Sequence, residues 1–483
     1  MDRWCPAKAR CGRTRAVNAL TYAAVLLAIA LVNCHPANAN PAFARKYGMP
    51  CSGCHVAWPL LNNFGQVFKD NGYQMMNDRD APIWRDNSYW PIAMYGIPEW
   101  HRESSSNQIV DSVPGDATSA PKAKTVSATG FDFSGVAWWM SGTLDKNISF
   151  LLLPTIFTLN TSNNTWTITF ESAWVRFDNL LGSSWLNLKM GKHELDLPVS
   201  EKRSLNFSNY GGLYYVYHFF PPNGNPTLVA ALQGLNSNQL GIELLGHNSN
   251  SYTRYAVSVM TSNAGAFGLP MGNTMDFYGH FQQAWNVGHD LGYMKASAFT
   301  YIGQWPTWFQ TSGGVPLGGT GSGNQLWTAS GGSLLWFTPK WVWSNVYVHG
   351  TEDAWLANNL PSNGAAGPLP AGARTAVWNG GFSEADFMYT PQLALIGRYE
   401  LVRMADQGNP SNPGNMGNLD ALTFGLRWYP FMTTRLGFAI NPEYSVIRSR
   451  GVTNNMFAGA YVPSFNNQDV TSSSIFLGLN FEF

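Results

Sequence analysis

The chain has 483 residues, with 29 Lys plus Arg against 29 Asp plus Glu, and its charged share of 12% stands beside 14% aromatics. A neutral chain sets up no field to gather nucleic acid, and so few charges, about half the usual share, do not suit an ordinary soluble enzyme. After the N-terminus no apolar stretch approaches the roughly twenty residues of a membrane-spanning helix, which excludes a helical membrane protein.

Arg3, Lys8, Arg10, Arg13 and Arg15 precede an apolar run from Ala19 to Val32 and then Ala37-Asn38-Ala39. A positive region, a short apolar region and an A-x-A site make residues 1–39 a secretory signal peptide. Cleavage after Ala39 removes Cys5, Cys11 and Cys34. The mature chain then keeps Cys51 and Cys54 alone, on the oxidising side of a bacterial inner membrane.

Those two cysteines belong to Cys51-Ser52-Gly53-Cys54-His55, a C-x-x-C-H pentad. Two thiols three residues apart reach the two vinyl groups of a porphyrin, and the following histidine can ligate its iron, so the pentad reads as covalent attachment of one haem c. Zinc would need a second Cys/His pair at short spacing, which does not follow. A thiol-disulfide motif would sit beside a βαβ pattern, which the chain lacks. The haem iron takes His55 from one face. For the other face Met75 and Met76 are the candidates, because a His/Met pair raises reduction potential; Met49 is too close to the pentad, and His101 or an open position are the alternatives.

After the pentad, Pro59 suits a first helical turn, and Leu60, Phe64, Val67 and Phe68 form one face until Asn71-Gly72 stops the helix. Residues 40–98 are therefore expected to form a small α-helical cytochrome module, and residues 99–128 a linker. Glu99, His101 and Glu103 alternate and could lodge a transient metal ion, but a solvated linker is the preferred reading.

From residue 129 to 483 period-two segments alternate with turns. Ala173, Val175 and Phe177 oppose Trp174, Arg176 and Asp178, and Leu186, Leu188 and Met190 oppose Asn187 and Lys189. Greasy and charged faces recurring without helices predict a mainly β fold: a transmembrane antiparallel β-barrel of about 16 strands with a polar lumen. Asp145-Lys146-Asn147, Thr338-Pro339-Lys340, Tyr389-Thr390-Pro391 and Tyr429-Pro430-Phe431 are expected hairpin connections, and Gly313 to Asn324 and Ala357 to Arg374 expected extracellular loops. The ending Ile475, Leu477, Leu479, Phe481, Phe483 alternates to a terminal phenylalanine, as outer-membrane barrels end. An apolar band about 25 Å tall is far taller than one haem, so the cytochrome module is expected to plug the lumen.

Ala42-Phe43-Ala44-Arg45, Tyr47-Gly48, the pentad, Pro59-Leu60-Leu61-Asn62-Asn63-Phe64-Gly65 and Asn71-Gly72-Tyr73 together resemble the fused outer-membrane cytochrome-porins of iron-oxidising bacteria. That resemblance implies a protein of the cell outer membrane, in contact with its lipid, that oxidises extracellular ferrous iron and delivers the electron to periplasmic carriers, an iron:cytochrome oxidoreductase with His55 at its centre. It implies no nucleic-acid partner. The alternative reading is a solute-conducting porin whose haem is a sensor or a structural plug. No paired catalytic carboxylates, activated nucleophile or phosphate-binding loop stands out.

Overall fold

The computed structural model describes residues 41–77, 80–85, 91–116, 118–160, 165–200, 204–205, 235, 238–261, 275–288, 291–306, 309–310, 316–317, 324–354, 372–407, 418–433, 436–455 and 462–483. The segment 1–39 expected to be a signal peptide, with Cys5, Cys11 and Cys34, the histidines His218 and His289, and most of the connections 313–324 and 357–374 lie outside the described residues.

Three short helices come first: α1 (Pro41–Tyr47), α2 (Cys51–Cys54) and α3 (Asn63–Asp70). Between the last two, β1 (His55–Ala57) and β2 (Leu60–Leu61) form a small hairpin. The barrel strands follow: β3 (Ile92–Asp111), β4 (Pro121–Asp145), β5 (Ile148–Asn160), β6 (Thr165–Phe177), β7 (Asn187–His193), β8 (Gln239–His247), β9 (Thr253–Thr261), β10 (Met275–Gly288) and β11 (Gly292–Pro306). A two-stranded hairpin, β12 (Phe309–Gln310) and β13 (Pro316–Leu317), stands apart from the wall. The ring resumes with β14 (Asn324–Phe337), β15 (Trp341–Glu352), β16 (Ala376–Thr390), β17 (Leu393–Gln407), β18 (Asn418–Met432), β19 (Gly437–Asn455) and β20 (Val462–Glu482).

Sixteen of these strands close into one ring. Each pairs antiparallel with its chain neighbour, and β20 closes the circle on β3, Phe476 facing His101 and Ser474 facing Glu103. Closure leaves no unpaired edge, which is what a sheet surrounded by lipid needs.

The alternation decides which solvent each face meets. Phe177, Met190, Ile242, Leu244, Val257, Val259, Phe277, Phe281, Phe424, Ile475 and Leu477 are exposed on the outside. Arg176, Asp178, Glu243, Arg254, Asp276, Lys295, Glu384, Arg398, Glu400 and Arg427 are buried on the inside. An apolar exterior around a charged interior inverts a soluble protein and is the pattern of a barrel in a bilayer. At the end with short turns, exposed Trp185, Trp285, Trp341 and Tyr389 form an aromatic rim.

Three expectations need correction. Residues 99–128 are no linker: β3 and the first part of β4 are wall strands, joined through residues 112–120, and the sixteenth strand of the ring comes from here. Tyr429-Pro430-Phe431 makes no hairpin. It lies within β18 where the register with β19 slips between Trp428 and Phe431, a bulge where a proline costs no ladder bond; the turn comes after Met432. The helix after the pentad starts at Asn63 rather than near Pro59, because Leu60 pairs with Ala57 and the Asn62 side chain supplies the N-cap.

Candidate functional site

The pentad is a single helical turn followed at once by extended chain. In α2 the Gly53 N–H bonds Pro50 O at 3.0 Å, and His55, with φ −123° and ψ 143°, ends the turn by donating its N–H to Cys51 O. Asn62 then stitches this turn to α3. Its N–H donates to Cys54 O at 3.0 Å, its Nδ2 donates to Gly53 O at 3.0 Å and Ser52 O at 3.3 Å, and its Oδ1 accepts from Gly65 N at 2.9 Å. Gly65 lies flat against the turn: a Cβ there would fall 2.1 Å from Cys54 O. Only glycine allows that approach.

The barrel wall forms the other side of the site. Cys51, buried, packs with Ala44 and Met432 at the end of β18. Ala57, Val56, Trp58 and Leu60 pack with Met388, Ile396, Tyr429 and Leu205. The guanidinium of Arg427 lies 4.8 Å over the Trp58 ring and 5.6 Å over the Tyr429 ring, and the Tyr429 hydroxyl donates to Trp58 O.

Both thiols are unbridged. Burial, and then the Glu482 carboxylate, push the Cys51 thiol up; burial pushes Cys54 up to about 11. A redox C-x-x-C works through a thiolate stabilised at low pKa, the opposite of the direction in which burial moves these two thiols. A bare metal ion has no cage either: among the described residues no group of three or more His, Cys, Asp or Glu is placed to hold one. A porphyrin brings four donors of its own. Two unbridged thiols, Cys51 buried and Cys54 half-buried, with a histidine directly after them fit thioether attachment of a porphyrin whose iron His55 would ligate.

Charged groups fasten the helical segment to the lumen. Arg176, paired with Asp178 at 2.5 Å, donates Nη2 to Asp70 O at 2.9 Å and Lys69 O at 3.2 Å, capping the C-terminus of α3 where carbonyls lack helical partners. Arg254 takes Asp70 through Nε at 2.8 Å and Nη2 at 3.1 Å, and reaches Asp196 Oδ1 at 2.7 Å. Asp196 belongs to the connection after β7, whose residues Leu195, Leu197 and Val199 are buried against the wall. Burial opposes ionisation of Asp196, yet Arg254 and His280 hold its carboxyl well below the usual range. Farther along the same connection, Ser204 accepts from Arg398 and Leu205 O from Arg427. A cavity of about 50 Å³ lies among Lys69, Asp70, Trp174, Arg176 and Arg254, room for water and not for an organic ligand.

The structure brings Cys51, Cys54 and His55 together as the spacing requires. Met75 is half-buried with Tyr47, Phe68, Tyr73 and Trp174, a cluster separate from that of Cys51, and Met76 is 54% exposed with φ +57°. Met49 lies closer to the pentad: its Cε is 3.0 Å from where a Gly53 Cβ would be. Glu99, His101 and Glu103 share the inner face of β3, with His101 Nδ1 3.9 and 3.8 Å from the two carboxylates. Trp174, Arg176 and Asp178 face inward as their alternation requires, and Trp174 stacks on Tyr73 with centroids 6.2 Å apart. Sequence reasoning missed Met432, Arg427, Arg254 and Asp196, because their partners are distant in the chain: Trp58 and Asp70 lie more than a hundred residues from Arg427 and Arg254, and Asp196 lies 58 from Arg254 in a connection with no periodicity to flag it.

No family model and no curated protein matches the chain. Among solved structures it is similar to the outer membrane channel DcaP of Acinetobacter baumannii, at 10% identity and TM-score 0.48 over 81% of this chain and 97% of that one. The anion-selective porin from Comamonas acidovorans is similar at 11% identity and TM-score 0.48, covering 81% and 99%. OmpT of Vibrio cholerae follows at 10% identity and TM-score 0.42, covering 80% and 97%. The closed ring of sixteen antiparallel strands stands on this chain's own strand pairing.

Proposed function

We propose that this chain is an outer-membrane barrel built around a covalent haem c, which accepts electrons from extracellular ferrous iron and yields them to a periplasmic cytochrome or copper protein. The observation that carries this reading is the pentad, its turn tied to α3 by Asn62 and Gly65 and its Cys51 buried where β18 packs against it at Met432. Cys51 and Cys54 would hold the group through thioethers and His55 would ligate the iron; bound there, haem supplies one-electron chemistry, so each ferrous ion gives one electron and becomes ferric. Met75, half-buried among Tyr47, Phe68 and Tyr73, or the exposed Met76 would be the methionine that supplies a second ligand.

What the chain's own residues contribute is placement and exclusion. Short turns mark the periplasmic end of such barrels, and the segment 41–85 touches that end: Arg45 donates to Ile92 O, the Thr143 hydroxyl to Ala81 O, and Asn63 to Asn250 O. A site at the periplasmic mouth would lie within reach of a soluble carrier. The helical segment and the connection after β7 would together narrow the lumen above it and limit what reaches the site from outside. Charged groups of both signs line that route and leave it polar.

A second reading has its own support. The closed barrel with a charged lumen is the architecture of a solute channel, and a solute-conducting porin with a structural haem plug uses the same contacts. Anaerobic mixing with ferrous iron separates the two. The conduit predicts reduction of the haem bands within seconds of mixing, whereas haem that stays oxidised while the reconstituted barrel conducts small solutes leaves only the porin.

A further inference from the structure

One wall strand, β18, meets the pentad segment and the helix before it at three points: Met432 packs on the cluster of Ala44 and Cys51, the Tyr429 hydroxyl donates to Trp58 O, and Arg427 lies over the Trp58 ring. Five residues separate Met432 from Arg427, roughly 15 Å of strand, the order of the long dimension of a porphyrin. A thioether-bound haem has its vinyl-derived edge at the cysteines and two propionate carboxylates on the opposite edge. Those carboxylates, taken from water into a barrel interior, need a cation.

We infer that Arg427 is that cation, and that β18 frames the haem from its thioether edge to its carboxylate edge. The inference rests on the haem reading above. Arg427 is fully buried, and its guanidinium is fixed by the two aromatic faces of Trp58 and Tyr429 with Nη1 on Leu205 O at 3.4 Å. A planar fork locked in this way keeps donors oriented for a carboxylate. Trp58 follows His55 by only three residues, so the same aromatic ring that carries Arg427 is tethered to the iron ligand.

A positive charge near the ring favours the reduced state, which carries one positive charge fewer, so its removal must lower the potential. At a fixed poise Arg427→Gln is expected to raise the ratio of oxidised to reduced haem about tenfold, which is about 59 mV for a one-electron couple, while Arg427→Lys stays within about threefold. A change of fivefold or more in Arg427→Gln supports the contact, and a smaller one overturns it. Should Arg427→Gln fail to assemble, resonance Raman of Arg427→Lys decides: the propionate bending band must shift when a two-pronged donor becomes a point charge, and an unmoved band overturns the inference. Wild-type protein lacking a pyridine haemochrome would sink the haem reading itself, a result distinct from haem that is present and indifferent to Arg427.

Discussion

Asn62 determines the shape of the pentad, since one side chain caps α3 and ties two carbonyls of the turn. Losing an N-cap costs about 1 kcal/mol, and each lost turn bond a similar amount. Asn62→Asp separates the two roles, because a carboxylate still accepts from Gly65 N but cannot donate to Ser52 O or Gly53 O. It is expected to fold with less covalent haem per barrel than wild type, and equal haem content by pyridine haemochrome would show the turn does not depend on those bonds. Gly65→Ala is expected to be worse, since its methyl must displace the Cys54 carbonyl. Overpacking of that kind costs about 1–3 kcal/mol, and the readout is again haem content against barrel yield. The pentad was legible from five adjacent letters, because its chemistry depends on local spacing. Asn62 is visible too, but its role is hidden, since Pro59 offers an earlier helix start and only the capping geometry moves the start to Asn63.

Among the elements, α3 is held at its C-terminus by two wall arginines, and Arg254 also carries the connection after β7 through Asp196. Removing one partner of a buried ion network leaves the others uncompensated, at about 3–5 kcal/mol. Arg254→Ala is therefore expected to loosen both the helical segment and the connection while the strand ring survives. Single-channel conductance should rise and thermal unfolding of the ring should change little; unchanged conductance would mean the clamp does not control the lumen. The acid limit follows from the sign of the Asp196 shift. Its folded pKa lies below its ordinary value of 3.8, so its contribution is complete above about pH 4 and disappears only as pH falls through the lower folded value. Trp174 emission, which reports on the helix through Tyr73, should hold steady on acidification to about pH 4 and change below it. A change beginning near pH 6 would contradict the assignment. Sequence periodicity placed Arg176 and Asp178 inside correctly, because alternation is local. It could not pair Arg254 with Asp70, since that contact joins residues 184 apart.

At the scale of the whole molecule, the closed ring was readable from amphipathic alternation, but its first strand was not: residues 129–483 contribute to fifteen ring strands, and β3 is the sixteenth. Beyond Trp100 the outer face of β3 carries Arg102, Ser104 and Ser106 while the inner face carries His101, Glu103 and Ser105, so polar residues line both faces and period-two contrast vanishes. Strand identity there comes from pairing with β20, where Ser104 and Ser105 meet Ser473 and Ser472 with hydroxyls 3.0 and 2.9 Å apart. Because β1 and β2 stand outside the ring, the barrel does not need residues 41–85 to close. A chain lacking 41–85 is thus expected to assemble, heat-modifiable on gels as closed barrels are, and to conduct well above the full chain in planar bilayers, since the charges of Arg176 and Arg254 would then face water instead of α3. Equal conductance of the two proteins would show that the helical segment leaves the pore open, and would return the chain to the solute-porin reading with its haem on a side branch.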